Sequence, residues 1–257
     1  TIPLFALGFR PFYLLAAFWS VAAILEWLME LSGSGIRGIG SIPGIQWHAH
    51  EMIFGFATTV VAGFSLTAVR SWTGLETPKG RSLMLLAFFW IAGRLGPLFS
   101  SYFVIIDILF LPIIAMIIGK LILQRSMVRN LFLPLILSVL GILNGLFYMS
   151  AYGHIGIDSN VPLISSLFLI VMIEIMIGGR VIPSFTANAI VGIKQFRNKS
   201  FATVVLAFSA TSFLLWIFFP VSVVTALICI LTGVLQFILL LGWKPLATRS
   251  KPIVWIL

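Results

Sequence analysis

The chain reads as an all-α, polytopic transmembrane helical bundle, and three observations point there. Hydrophobic residues make up 60% of the 257 positions and charged residues 9%, with a mean hydropathy of +1.15, far outside the range of soluble domains. Apolar stretches of about 20 residues, enough to cross a bilayer as a helix, recur from end to end. The 16 Lys and Arg residues gather in the short connections between those stretches, as they do in membrane proteins.

Eight spans follow in order, over 11–31, 47–69, 82–99, 101–123, 131–151, 161–186, 200–219 and 221–242. Pro11 stands at the start of the first, where its missing N–H costs least. Pro43-Gly44 breaks the chain before the second. Ser100-Ser101 alone joins the third to the fourth, and Pro220 the seventh to the eighth, so each pair should form a tight antiparallel hairpin. In the sixth, Pro183 cannot donate to the Gly179 carbonyl and Gly178-Gly179 loosens the preceding turn, so a helix break is expected there. The whole of 1–257 is read as a single transmembrane domain. Thr1 is not an initiator methionine, and Ile253-Val254-Trp255-Ile256-Leu257 resembles the first turn of a ninth span, so the segment is expected to be the N-terminal part of a longer chain.

Orientation comes from the basic residues. Arg10 lies on the N-terminal arm, and each even-numbered connection holds three: Arg70, Lys79, Arg81; Lys120, Arg125, Arg129; Lys194, Arg197, Lys199; Lys244, Arg249, Lys251. The other side has Arg37 alone, while Arg94 and Arg180 lie within spans. The bias places the N-terminus in the cytoplasm. Depth then follows: Glu26, Glu30, His48, His50, Glu51, Arg94 and Asp107 all fall in the outer half of the bilayer.

Several classes are excluded. The net charge of +9 is explained by topology and calls for no nucleic-acid partner. Cys229 is the single cysteine, so there is no disulfide framework and no C-x-x-C-H for covalent haem. No Walker motif, dinucleotide-binding glycine pattern or serine triad context is present.

Trp47-His48-Ala49-His50-Glu51 opens the second span and is the strongest functional signal. Ionisable groups inside a bilayer cost roughly 2.5–3.5 kcal/mol each on insertion scales, so they are kept where they are used. On a regular helix His48 and His50 project about 200° apart, while His48 and Glu51 face one way. Either the two imidazoles serve two centres on opposite sides, or the span begins irregularly. Histidine suits haem and copper; the bland alternative is a pair of interfacial histidines with Trp47 as a belt aromatic. Gly55, Ala57, Ala62 and Gly63 would admit a haem ring or simply a neighbouring helix. Arg180, beside the expected break, could clamp a carboxylate or bind an anion with its donor fork, or snorkel to the boundary. Glu174 sits near mid-bilayer between Met172 and Met176, as a proton carrier or a paired acid; the methionines are copper candidates or core filler. His154 and Asp158 belong to an outer loop.

Trp47 through Gly55, Gly63-Phe64-Ser65-Leu66-Thr67-Ala68-Val69 and Trp72-Thr73-Gly74 resemble the signature of the NnrS family. Gly8-Phe9-Arg10-Pro11-Phe12, Ala92-Gly93-Arg94 and Gly178 through Thr186 are similar to its other motifs. The resemblance implies a bacterial inner-membrane protein of about twelve spans, containing haem b and copper and linked to nitric oxide stress. It implies His48 and His50 as metal and cofactor ligands, with Arg94 and Arg180 as functional polar residues that hold the cofactor. Glu51, Arg94 and Arg180 are the expected catalytic or proton-handling groups. Expected partners are membrane lipid, haem, nitric oxide or a related small molecule, and a possible membrane-complex subunit. Two other classes stay open: a carrier of a metal or small anion along Glu174 and Arg180, and a non-catalytic membrane subunit of a respiratory assembly.

Overall fold

The computed structural model of the protein describes residues 2–34, 42–249 and 251. Those residues contain eight helices long and apolar enough to cross a membrane. In order they are α1 (Phe9–Leu31), a composite span from Gly44 to Thr73, α4 (Arg81–Phe99), α5 (Val104–Gln124), α6 (Phe132–Ala151), α7 (Asn160–Ala189), α8 (Lys199–Phe218) and α9 (Val223–Gly242). The composite span consists of α2 (Gly44–His50), a π-helical segment (Glu51–Ala57) and α3 (Thr58–Thr73). Arg37 and the tail Ile253–Leu257, which carry part of the orientation and the ninth-span expectations, lie outside the described residues.

The chain forms two compact units, Thr1–Leu167 and Phe168–Leu257. In the first, the composite span is the hub: 67% of its most apolar stretch is buried, against 17% for α1. It packs on α1 along one side and α5 along another, and α5 in turn carries α4 and α6. Polar residues on the hub cause no deficit at this depth, because Ser65, Thr67 and Thr73 donate their hydroxyls to carbonyls one turn back. Thr67 does more, accepting the N–H of Phe9 at 3.0 Å and so tying the start of α1 to the hub. This bond links two of the sequence motifs.

The π-helical segment changes direction along the hub. A π turn admits an extra residue, and each extra residue advances the helix face by about 100°. The carbonyls of Phe54 and Gly55 within it accept the hydroxyls of Thr58 and Thr59 at 2.8 and 2.6 Å. Gly55 is needed for close approach: a Cβ there would stand 2.5 Å from the Trp19 indole nitrogen and 2.8 Å from Glu51. Nearby, Phe12 of α1 packs on Gly63. These small residues therefore accommodate α1 and its aromatic side chains.

The second unit is built on the α8–α9 hairpin, closed by a 2.6 Å bond between Ser212 and Thr232 and by Gln236 donating to Ser209 at 2.9 Å. The expected break in the sixth span does not occur. Helix α7 continues through Pro183; one lost hydrogen bond does not outweigh the bonds on either side. Arg197 donates to the Pro183 carbonyl from the following connection.

Candidate functional site

Six side chains from four helical spans meet in one buried network, with a seventh reaching in from α1. The π-helical segment contributes Glu51 at its first residue, directly after His50 at the end of α2. Helix α4 contributes Arg94, α5 Asp107, and α6 both Asn144 and Tyr148, one turn apart. Gly93 lets α5 come close enough, since a Cβ on it would lie 3.0 Å from the Asp107 Cα. Arg94 and Asp107 therefore face each other where their two helices nearly touch.

Arg94 is the hinge of the charge pattern. Its Nη1 donates to Glu51 Oε2 at 2.8 Å, and its Nη2 pairs with Asp107 Oδ1. Trp19 of α1 adds a 2.7 Å bond from its indole N–H to the same Glu51 oxygen. Tyr148 and Asn144 donate to Asp107 Oδ2 at 3.0 and 3.1 Å. The side chains of Glu51, Arg94 and Asp107 are 6%, 2% and 5% exposed. Such a cluster is stable at this depth because each charge meets an opposite charge and the carboxylates accept further donors.

His50 is fully engaged by the network. Its Nδ1 lies 3.0 Å from Glu51 Oε1 and its Nε2 2.8 Å from Asn144 Oδ1, with Phe147 stacked on the ring. Asn144 donates its amide to Asp107, so its oxygen faces the histidine, and Nε2 must carry a proton toward it.

His48 points elsewhere. Its ring stacks on Trp27 of α1, with centroids 4.3 Å apart and planes at 12°. It hydrogen-bonds the Ala23 backbone, and its Nδ1 is buried without a hydrogen-bond partner among the described residues. The start of the span is regular through His50 and becomes π-helical only from Glu51, so the two imidazoles serve opposite sides.

Of the residues singled out in the sequence, His50, Glu51, Arg94 and Asp107 come together, and His48 stands on the other face. Arg180 and Glu174 lie on the part of α7 that belongs to the second unit. His154 and Asp158 are exposed, as expected of an outer loop. Sequence reasoning passes over Trp19, Asn144 and Tyr148. Asn144 did leave a signal: it is a lone amide within an apolar span, with a tyrosine four residues on along the same face.

The family model described as NnrS protein matches residues 3–257. The chain belongs to the NnrS family. No curated protein and no solved structure matches it. Within this NnrS chain, no group of three or more His, Cys, Asp or Glu is placed to hold a metal ion among the described residues. The two histidines fit the expected haem and copper unequally. His48 has a buried ring nitrogen with no partner among the described residues and a ring stacked on Trp27, so it has a donor atom free to fit such a group. His50 does not fit, since ligation would require it to give up Glu51 or Asn144.

Proposed function

We propose that this NnrS-family chain is a multi-pass protein of the bacterial inner membrane that acts in the response to nitric oxide. Its working centre, on this reading, is the pair of environments on either side of the hub span, in the outer half of the bilayer with the N-terminus in the cytoplasm. The observation that carries it is the buried Arg94 between Glu51 and Asp107, tied through Glu51 to His50, since a charged network at membrane depth is costly and is retained for use.

His48 is the residue that would hold haem or copper. Either group, when bound, supplies a metal that takes up nitric oxide and exchanges an electron with it. The chain's own part is charge and proton management. Arg94 fixes both carboxylates, Asn144 and Trp19 set the orientation of His50 and Glu51, and Glu51 Oε1 is hydrogen-bonded to the His50 Nδ1. Arg180 is the residue proposed to grip a carboxylate or small anion from α7. Growth of a strain lacking its own copy, challenged with a nitric oxide donor, tests this. The wild-type gene should restore growth, and Glu51→Gln and Arg94→Leu should not. Restoration by both variants would remove the network from the function.

A further inference from the structure

A groove of about 470 Å³ opens between the start of α4 and the end of α5, well away from the buried network. It lies at the end of the first unit that carries Arg70, Lys79, Arg81, Lys120 and Arg125, the side where basic residues meet the headgroups of a bilayer. Glu76 is the one acid among its lining residues, and it is already held by Arg70 at 2.9 Å and Lys79 at 3.0 Å. The lining thus presents net positive charge.

Apart from Glu76 and Lys79, the polar side chains of the lining make no bond among the described residues. Thr77 is 6% exposed, and its hydroxyl has no hydrogen bond among the described residues. The side chains of Ser82, Lys120 and Gln124 line the same space and are likewise unbonded among the described residues. Helix α4 starts beside it, after Gly80, with no side-chain cap on its first amides. A hydroxyl that opens into the groove from an otherwise buried residue, with a lysine in the same lining and an uncapped helix start, is the donor set of an anion site.

We propose that this groove binds the phosphate headgroup of an anionic phospholipid. Lys120 would supply the charge, with Thr77 and Ser82 donating to the phosphate oxygens. A lipid fits better than free phosphate because Ile117 and Leu121 form the apolar remainder of the lining. On the same helix Met116 and Leu123, 67% and 59% exposed, offer a path for an acyl chain.

Native mass spectrometry of the detergent-purified chain, titrated with dioleoylphosphatidylglycerol, reads the binding directly. Lys120→Gln should weaken retention about fivefold, the effect of one basic residue at a membrane surface, and Thr77→Val should weaken it as well. Both should keep the wild-type unfolding temperature without lipid. Lys199→Gln removes an equally exposed charge at the start of α8 and should bind like the wild type. Equal losses in Lys120→Gln and Lys199→Gln would mean diffuse attraction and overturn the site, as would undiminished binding by Lys120→Gln. Displacement of the lipid by equimolar inorganic phosphate would overturn the choice of a lipid.

Discussion

Arg94 donates to Glu51 across 2.8 Å in a region where neither side chain is more than 6% exposed. The pair links α4 to the hub span, and Asp107 on the other side of the same guanidinium links α4 to α5. Losing the arginine strands two buried carboxylates at once. Arg94→Leu should therefore lower stability by at least the roughly 3–5 kcal/mol of a broken buried ion pair. Arg94→Lys keeps the charge but not the fork, and should fall between the leucine variant and the wild type. Thermal unfolding in detergent ranks the three; equal midpoints would show that the ion pairs do not hold the helices.

Asn144 faces the His50 Nε2 at 2.8 Å, with Asp107 farther off at 3.6 Å, and it also donates to Asp107. Asn144→Leu leaves the His50 Nε2 without its hydrogen bond, at a cost of about 1–3 kcal/mol, while Asp107 keeps Tyr148 and Arg94. Asn144→Asp puts a third carboxylate into the cluster and should be the more damaging. A leucine variant as stable as wild type would mean that the bond to His50 is replaced by water.

The basic-residue bias predicts a topology that can be checked independently. A reporter fused after Lys79 should signal from the cytoplasm and one fused after Asp158 from outside. The same signal from both would displace the network from the outer half.

Much of this was open to a reader of the sequence. The spans are legible because about 20 apolar residues are hard to hide, and the hub expected over 47–69 runs from Gly44 to Thr73. The shared depth of His50, Glu51, Arg94 and Asp107 is legible from the spans and the charge bias, but Glu26, Glu30 and His48 share that layer too, and only the packing shows that Arg94 meets Glu51 and Asp107. The divergence of His48 and His50 follows from helix geometry. Three features resist such reading. The π-helical segment at Glu51–Ala57 has no composition of its own. Asn144 and Tyr148 are ordinary residues until tertiary packing brings Asp107 opposite them. Pro183 looks like a breaker, yet α7 tolerates it within 30 residues of helix.

Trp19 offers an optical view of the network, because its indole N–H bonds Glu51 at 2.7 Å. Glu51→Gln removes the charge that Arg94, His50 and Trp19 share. Its tryptophan emission should shift and its unfolding midpoint should fall, with the fold kept. If emission and midpoint both match wild type, Glu51 is not the hub of the charges around it.

The most direct measurement is the visible absorption spectrum of the purified chain, with metal analysis of the same samples, for wild type and His48→Ala. The unpartnered Nδ1 of His48, its ring stacked on Trp27, predicts that wild type carries a haem band or bound copper and that folded His48→Ala loses it. An identical spectrum and metal content in His48→Ala would contradict the assignment of His48 as the ligand, and with it the division of labour between the two histidines.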